Sequence, residues 1–207
     1  NYGNTPLHKA AGDYSAKKEM VEILLKHGAD INARTNENYG NKTPLQATDG
    51  ISDPKIRQEI VSLLQSAMLN QARTPQEYFN QLLAELKGHE NNEILRKSII
   101  ETALSMQPRP AISPEAEKFE GRAQYAFGIA KSEAEMLDAA HEYLKAVDTA
   151  PWVAGYYFDL CTILEKANRP AEAIRACKFY LIAAPEAQDA RDVRKRVAGL
   201  EYGVERL

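Results

Sequence analysis

The stretch Trp152–Pro185, WVAGYYFDLCTILEKANRPAEAIRACKFYLIAAP, decides the fold of this 207-residue chain. Two helical patterns run through it, separated by Asn168-Arg169-Pro170. The second stops at Pro185, where a missing N–H and a fixed φ disfavour further helix. The stretch is therefore one helical hairpin. A shift of 34 residues lays Pro185 on Pro151, Ala173 on Ala139, Ala184 on Ala150, and the ring of Phe179 on the long side chain of Glu142. The hairpin repeats, imperfectly.

This 34-residue period, with Tyr157, Leu160-Cys161, Leu164, Ala173, Cys177 and the closing Pro185, resembles the tetratricopeptide (TPR) repeat. Cys161 stands where that family prefers Gly and Tyr180 where it prefers Ala, which implies slightly wider helix spacing. In the earlier unit Glu115–Lys131 is the first helix and Ala134–Ala150 the second. Its register has two solutions: Ala123, Phe127 and Ala130 at the signature positions without a gap, or Phe119, Ala123 and Ala126 with extra residues near Ser132. Glu186–Leu207 resembles the solvating helix that closes such arrays. Val193, Val197, Leu200 and Tyr202 face inward in this reading, and Arg191, Arg194, Lys195 and Arg196 face outward among interleaved acids.

Outward from this region the chain changes character. Gln107–Pro114 carries Pro108, Pro110 and Pro114 and cannot be helical, so it reads as a stiff connection. Before it, Thr74-Pro75-Gln76-Glu77 is a capping-box signature that starts a helix through Tyr78, Phe79, Leu82, Leu83 and Leu86 to Gly88. Asn92–Met106 supplies its partner through Ile94, Leu95, Ile99, Ile100, Ala103 and Leu104. These two helices form a linking hairpin, whose wide apolar faces predict that it packs on both arrays.

At the N-terminus, NYGNTPLHKAAGDYSAKKEMVEILLKHGADINA resembles an ankyrin repeat closely. Thr5 caps, Pro6 takes the first helical position where its absent N–H costs nothing, and Leu7 begins the core face. A second helix over Lys17–Lys26 buries Met20, Val21, Leu24 and Leu25, and Gly28 supplies a left-handed stop. The resemblance implies that His8 bonds within its own turn and to the neighbouring one. A second unit opens at Thr43-Pro44-Leu45, 38 residues after the first instead of the family's 33. The extra residues divide between Gly12–Lys17 and Arg34–Lys42, where they lengthen the finger-like turn. This unit departs further: Gln46 replaces the His, Asp49–Pro54 is a longer loop, and Ile60, Val61, Leu63 and Leu64 mark its second helix. A polar passage, Ala67–Arg73, follows in place of another turn, so the array is expected to end there. The first unit has no polar cap before it, which predicts upstream repeats.

The expected fold is all-α: an α-solenoid of ankyrin-like repeats (1–70, with the resemblance itself over 1–66), a linking helical hairpin (71–112), and TPR-like hairpins with a C-terminal capping helix (113–207, resemblance from 115). With 26 basic and 29 acidic residues the net charge is −3, so no global field attracts nucleic acid or an anionic membrane. No apolar run is long enough to span a bilayer. Cys161 and Cys177 are the only cysteines and fall on apolar faces, which predicts buried thiols in place of a disulfide or metal pair, and with them a reducing, cytoplasmic compartment.

The four histidines do not pair at ligand spacing, and no phosphate loop, nucleophile elbow or zinc-protease helix appears. The reading is therefore non-catalytic, without cofactor or metal, and a monomer. Both resemblances imply a scaffold that binds protein or peptide partners. Its alternative is a regulatory subunit or host-directed effector whose catalytic or targeting parts lie elsewhere. The ankyrin resemblance directs a partner to turn tips and first helices, here Tyr2, Asn4, Lys9, Tyr39, Asn41 and Lys42. The TPR resemblance directs one to the groove of first helices, here Gln124, Lys131, Phe158, Asp159, Thr162 and Glu165, with Phe158 as the large anchor.

Overall fold

The computed structural model describes residues 3–12, 17–71, 74–89 and 92–206. Among them every regular element is a helix. The helices are α1 (Pro6–Gly12), α2 (Lys18–Lys26), α3 (Pro44–Ala47), α4 (Pro54–Gln71), α5 (Pro75–Leu86), α6 (Glu93–Ser105), α7 (Pro114–Ile129), α8 (Glu133–Thr149), α9 (Ala154–Lys166), α10 (Pro170–Ala183) and α11 (Ala190–Glu205). Two single 3-10 turns, Glu37–Tyr39 and Thr48–Gly50, join them. The chain divides into two compact units, 1–96 and 97–207, and the division falls inside α6.

In the first unit α1 packs on α2 and α3, α4 packs on α2 and α3, and α5 follows α4. Leu7, Ala11, Val21, Leu45, Ile60, Val61, Leu64, Phe79 and Leu82 are buried between them. Each such large apolar side chain removed from water contributes roughly 1.5–3 kcal/mol. The approach of α1 to α3 requires Gly12: a Cβ there would lie 2.6 Å from the carbonyl oxygen of Ala47.

What sets the spacing of these short helices is side-chain hydrogen bonding at their starts. Thr5 N–H donates to His8 Nδ1 at 3.3 Å, and His8 Nε2–H donates to the carbonyl of Lys42 at 2.8 Å. One imidazole thus closes its own turn and fastens the next. At α3 the same two tasks fall to Gln46. Thr43 N–H donates to Gln46 Oε1 at 3.0 Å, while Gln46 Nε2 donates to the carbonyl of Glu85 at 3.1 Å. Gln46 N–H in turn donates to Thr43 Oγ1, completing a capping box. The replacement of His by Gln is therefore a substitution of donor and acceptor in kind. The capping box expected at Thr74 and Glu77 forms as well.

Two expectations for this unit are corrected. Met20 is 49% exposed, because α2 turns Val21, not Met20, toward α1 and α4. The passage read as polar from Ala67 continues α4 to Gln71, with Met68 buried on the face that carries Leu64 four residues earlier.

In the second unit α7 packs on α8, α8 on α9, α9 on α10 and α10 on α11, so each helix meets its sequence neighbour. The interfaces are lined by Ala116, Ala123, Ala139, Ala140, Ala146, Ala173 and Ala176, small enough to let helices approach. Tyr157, Leu160, Cys161, Leu164, Ala173 and Cys177 are all buried. The ring of Tyr157 stacks on Phe179 with centroids 5.4 Å apart. Phe119, Ala126 and Phe127 of α7 all pack partly buried on this core, so both registers considered for the helix contribute residues to it. Ser113 and Ser132 cap α7 and α8 with their hydroxyls. The Pro-rich connection before α7 is not helical, and Trp152 Nε1 donates to the carbonyl of Pro110 across 3.2 Å.

Three expectations fail here. Cys161 and Cys177 form a disulfide between α9 and α10, with their Cα atoms 5.3 Å apart. Facing positions on two packed helices bring core cysteines within bonding range, and burial alone does not separate this state from two thiols. The inference to a reducing, cytoplasmic compartment loses its basis with them. Among the described residues, no helix is long and apolar enough to cross a membrane. Tyr202 is 61% exposed and carries the guanidinium of Arg206 on its ring, because the inward stripe of α11 runs Val193, Val197, Leu200 and residue 202 falls off it. Arg196, expected outward, turns onto α9 and donates to Glu165 and Thr162.

Candidate protein-binding surfaces

The lengthened turn Arg34–Lys42 of the first unit is a closed, internally bonded loop. Thr35 N–H donates to Lys42 O at 3.0 Å and Lys42 N–H returns to Thr35 Oγ1 at 2.9 Å. Within this clasp the additional residues form the single 3-10 turn Glu37–Tyr39, which ends in left-handed Gly40 (φ 82°) and Asn41 (φ 50°). Glycine suits the first of these because it has no Cβ to strain, and asparagine is among the few other residues tolerated there. Arg34 Nη1 donates to the carbonyl of Asn41 at 3.0 Å and fixes the tip. Tyr39, 46% exposed, and Asn41 project from a loop whose backbone is closed by its own hydrogen bonds.

Beside the tip lies an open polar cleft of about 470 Å³, lined by Arg34, Gly40, Asn41, Lys42, Gln46, Asp49, Lys87, Gly88 and His89. Asp49 takes His89 Nδ1 at 2.6 Å and Asn92 Nδ2 at 3.1 Å. Behind Gln46, Thr43 donates its hydroxyl to the buried carboxyl of Glu85 at 2.5 Å. Burial raises the Glu85 pKa above the usual carboxylate value; the Thr43 hydroxyl and the charges of Arg34 and His89 oppose this and do not overcome it.

Of the residues read from the sequence as contacts, Asn41 and Lys42 meet at this cleft, with Tyr39 in the adjoining turn. Asn4 and Lys9 are exposed at α1. Tyr2 lies outside the described residues. Sequence reasoning missed Arg34, Asp49, Lys87 and His89. His89 and Asp49 are 40 residues apart, so no local spacing announces the pair.

In the second unit the residues named on first helices separate into two groups. Gln124 is exposed on α7 and bonds Glu120, its neighbour one turn earlier. Asp159 on α9 accepts the hydroxyl of Tyr143 at 2.8 Å. Burial first, then the hydrogen bond and charge of Asp159, raise the Tyr143 pKa, while Gln124 bonds the same phenol and opposes them. Gln124 and Asp159 are thus joined through Tyr143. Tyr156, buried nearby, is pushed up to about 12, chiefly by burial and then by the charge of Glu120. Thr162 and Glu165 form the second group, engaged by Arg196 of α11. Lys131 lies in the α7–α8 loop, apart from both. Phe158 is half-buried, its ring 5.3 Å from that of Tyr180, so it belongs in part to the packing.

Among the described residues no group of three or more His, Cys, Asp or Glu is placed to hold a metal ion. What these surfaces offer is shape and fixed donors on helical repeats. Residues 2–36 match the family model for the ankyrin repeat. That segment carries the Thr5–His8 turn and ends within the finger whose tip flanks the cleft. No curated protein and no solved structure matches the chain.

Proposed function

We propose that this chain is a non-catalytic protein-interaction module that engages a protein or peptide partner through the finger and cleft of its first unit. The observation that carries the reading is the bonded turn Arg34–Lys42, which holds Tyr39 and Asn41 outward on a hydrogen-bonded backbone. An exposed Tyr beside an Asn offers contact area at low entropic cost together with adaptable hydrogen bonds. A loop braced by its own hydrogen bonds also has less freedom to lose on association. The ankyrin-repeat match over residues 2–36 favours the same reading, since that repeat serves protein recognition.

The hairpins of the second unit act, in this account, as a TPR-like second surface. Gln124, exposed on α7, is its polar contact; Asp159 holds Tyr143 of α8, and Thr162, Glu165 and Phe158 serve mainly to hold α9 against α10 and α11. The test is affinity capture from a lysate of the source organism with the parent chain beside a Tyr39→Ala, Asn41→Ala variant. A partner kept by the parent and lost by the variant is the expected result. Equal recovery with both would remove the finger from the recognition surface.

A further inference from the structure

We propose that the cleft beside the finger is a receptor for a carboxylate side chain, so that the partner presents an acidic segment to the first unit. This deepens the interaction-module reading and rests on it.

The argument begins with charge. Arg34 and Lys42 line the cleft from the two ends of the turn, and Lys87 lines it from the end of α5. Among the described residues, Lys42 and Lys87 are in no ion pair with a carboxylate. The acids at the site are already engaged. Asp49 is taken by His89 and Asn92, and Glu85 is buried beneath Gln46 with its oxygen on the Thr43 hydroxyl. Burial favours the neutral form of Glu85, which leaves the positive charge of the rim less opposed. A chain with net charge −3 that gathers three cations around one opening has a local field of opposite sign to its whole.

Geometry narrows the ligand. Arg34 is held by its bond to Asn41 O, so its guanidinium is positioned before a ligand arrives. Asp49 remains on the lining and repels a dianion more than a monoanion, which favours a carboxylate over a phosphate. Tyr39 and Asn41 adjoin the opening, so a peptide whose acid enters the cleft runs over the finger.

The test is an amide-resolved NMR titration of the full ¹⁵N-labelled chain with three probes: a capped Gly-Glu-Gly-Glu-Gly peptide, its Gln counterpart, and inorganic phosphate. The expected result is saturable shifts at Gly40, Asn41, Lys42 and Gly88 with the Glu peptide, weakened by added salt, and far smaller shifts with the Gln peptide. Lys42→Gln with Lys87→Gln weakens Glu-peptide binding roughly three- to tenfold, as expected for partly exposed charge pairs. The charge-matched control Lys26→Gln with Lys55→Gln does not. Arg34 stays in both variants so that the turn is not disturbed.

Shifts scattered over the surface, or equal losses in the two variants, would overturn the proposal. Larger shifts from phosphate than from the Glu peptide would overturn the choice of carboxylate. If the Glu peptide binds the cleft but capture retains no protein, the interaction-module reading fails and the cleft's chemistry stands. A partner lost on finger mutation yet kept by Lys42→Gln, Lys87→Gln leaves the module and removes the anion site.

Discussion

The two units of this chain hold successive helices in register by different means. In the first, His8 and Gln46 each close one turn and reach forward to the backbone of a later element, so polar side chains at fixed offsets carry the repeat. In the second, stacked helices meet through alanines, tyrosines and the Cys161–Cys177 cross-link, and the hydrogen bonds between them, such as Tyr143 to Asp159 and Arg196 to Glu165, recur at no fixed offset. A polar clasp accepts few residue types, because a donor and an acceptor must sit at one geometry. A packed face accepts any side chains that fill it. The first unit therefore writes a recognisable motif, while the second writes only a period.

The contrast can be broken by mutation. Leu164→Ala, in the packed unit, should lower the unfolding free energy by about 2–5 kcal/mol through the cavity it leaves. Urea titration measures this, and a loss under about 1 kcal/mol would show the α9–α10 interface to be loosely filled. Replacing both Cys161 and Cys177 with Ala should cost about 3 kcal/mol, because the cross-link spans 16 residues and limits the unfolded chain. Melting with and without reductant checks it: the parent should fall toward the variant when reduced, and the variant should not respond.

A smaller effect sharpens the polar side of the comparison. Gln46→Ala should cost about 1–3 kcal/mol by leaving the Glu85 carbonyl and Thr43 N–H unpaired in a buried turn. Gln46→His should restore part of this, since His8 performs both bonds at the equivalent place. If His is no better than Ala, the two clasps are not equivalent.

The smallest effect is a pH dependence. Burial raises the Glu85 pKa above the ordinary carboxylate value of 4.5, so the folded chain keeps that proton to higher pH than the unfolded chain does. The group's contribution to stability is fully present below the unfolded value and is lost as pH rises through the folded one. Glu85→Gln keeps an acceptor for Thr43 and removes the titration. The stability difference, variant minus parent, should therefore grow with pH from about 4.5 upward and then level off. A difference independent of pH would show that Glu85 titrates as it does in the unfolded chain.

The same contrast explains what the sequence made legible. Thr5-Pro6-Leu7-His8 and Thr74-Pro75-Gln76-Glu77 each specify a turn by local chemistry, and both form as read. The α9–α10 hairpin was legible from its spacing and from Pro170 and Pro185. Its disulfide was not, because two core-facing cysteines look alike in sequence whether joined or free. Tyr202 misled because an aromatic suggests burial, whereas its offset from Val197 and Leu200 puts it on the solvent side of α11. The cleft was illegible for a third reason. Arg34, Asp49, Lys87 and His89 come from three segments, and only the stacking of α5 after α4 brings them to one opening.

The most direct test of the account is hydrogen–deuterium exchange of the whole chain, alone and with the partner recovered by capture. Protection on binding is predicted at 39–42 and 87–89 in the first unit. Protection confined to the second unit, with the finger exchanging as in the free chain, would contradict it.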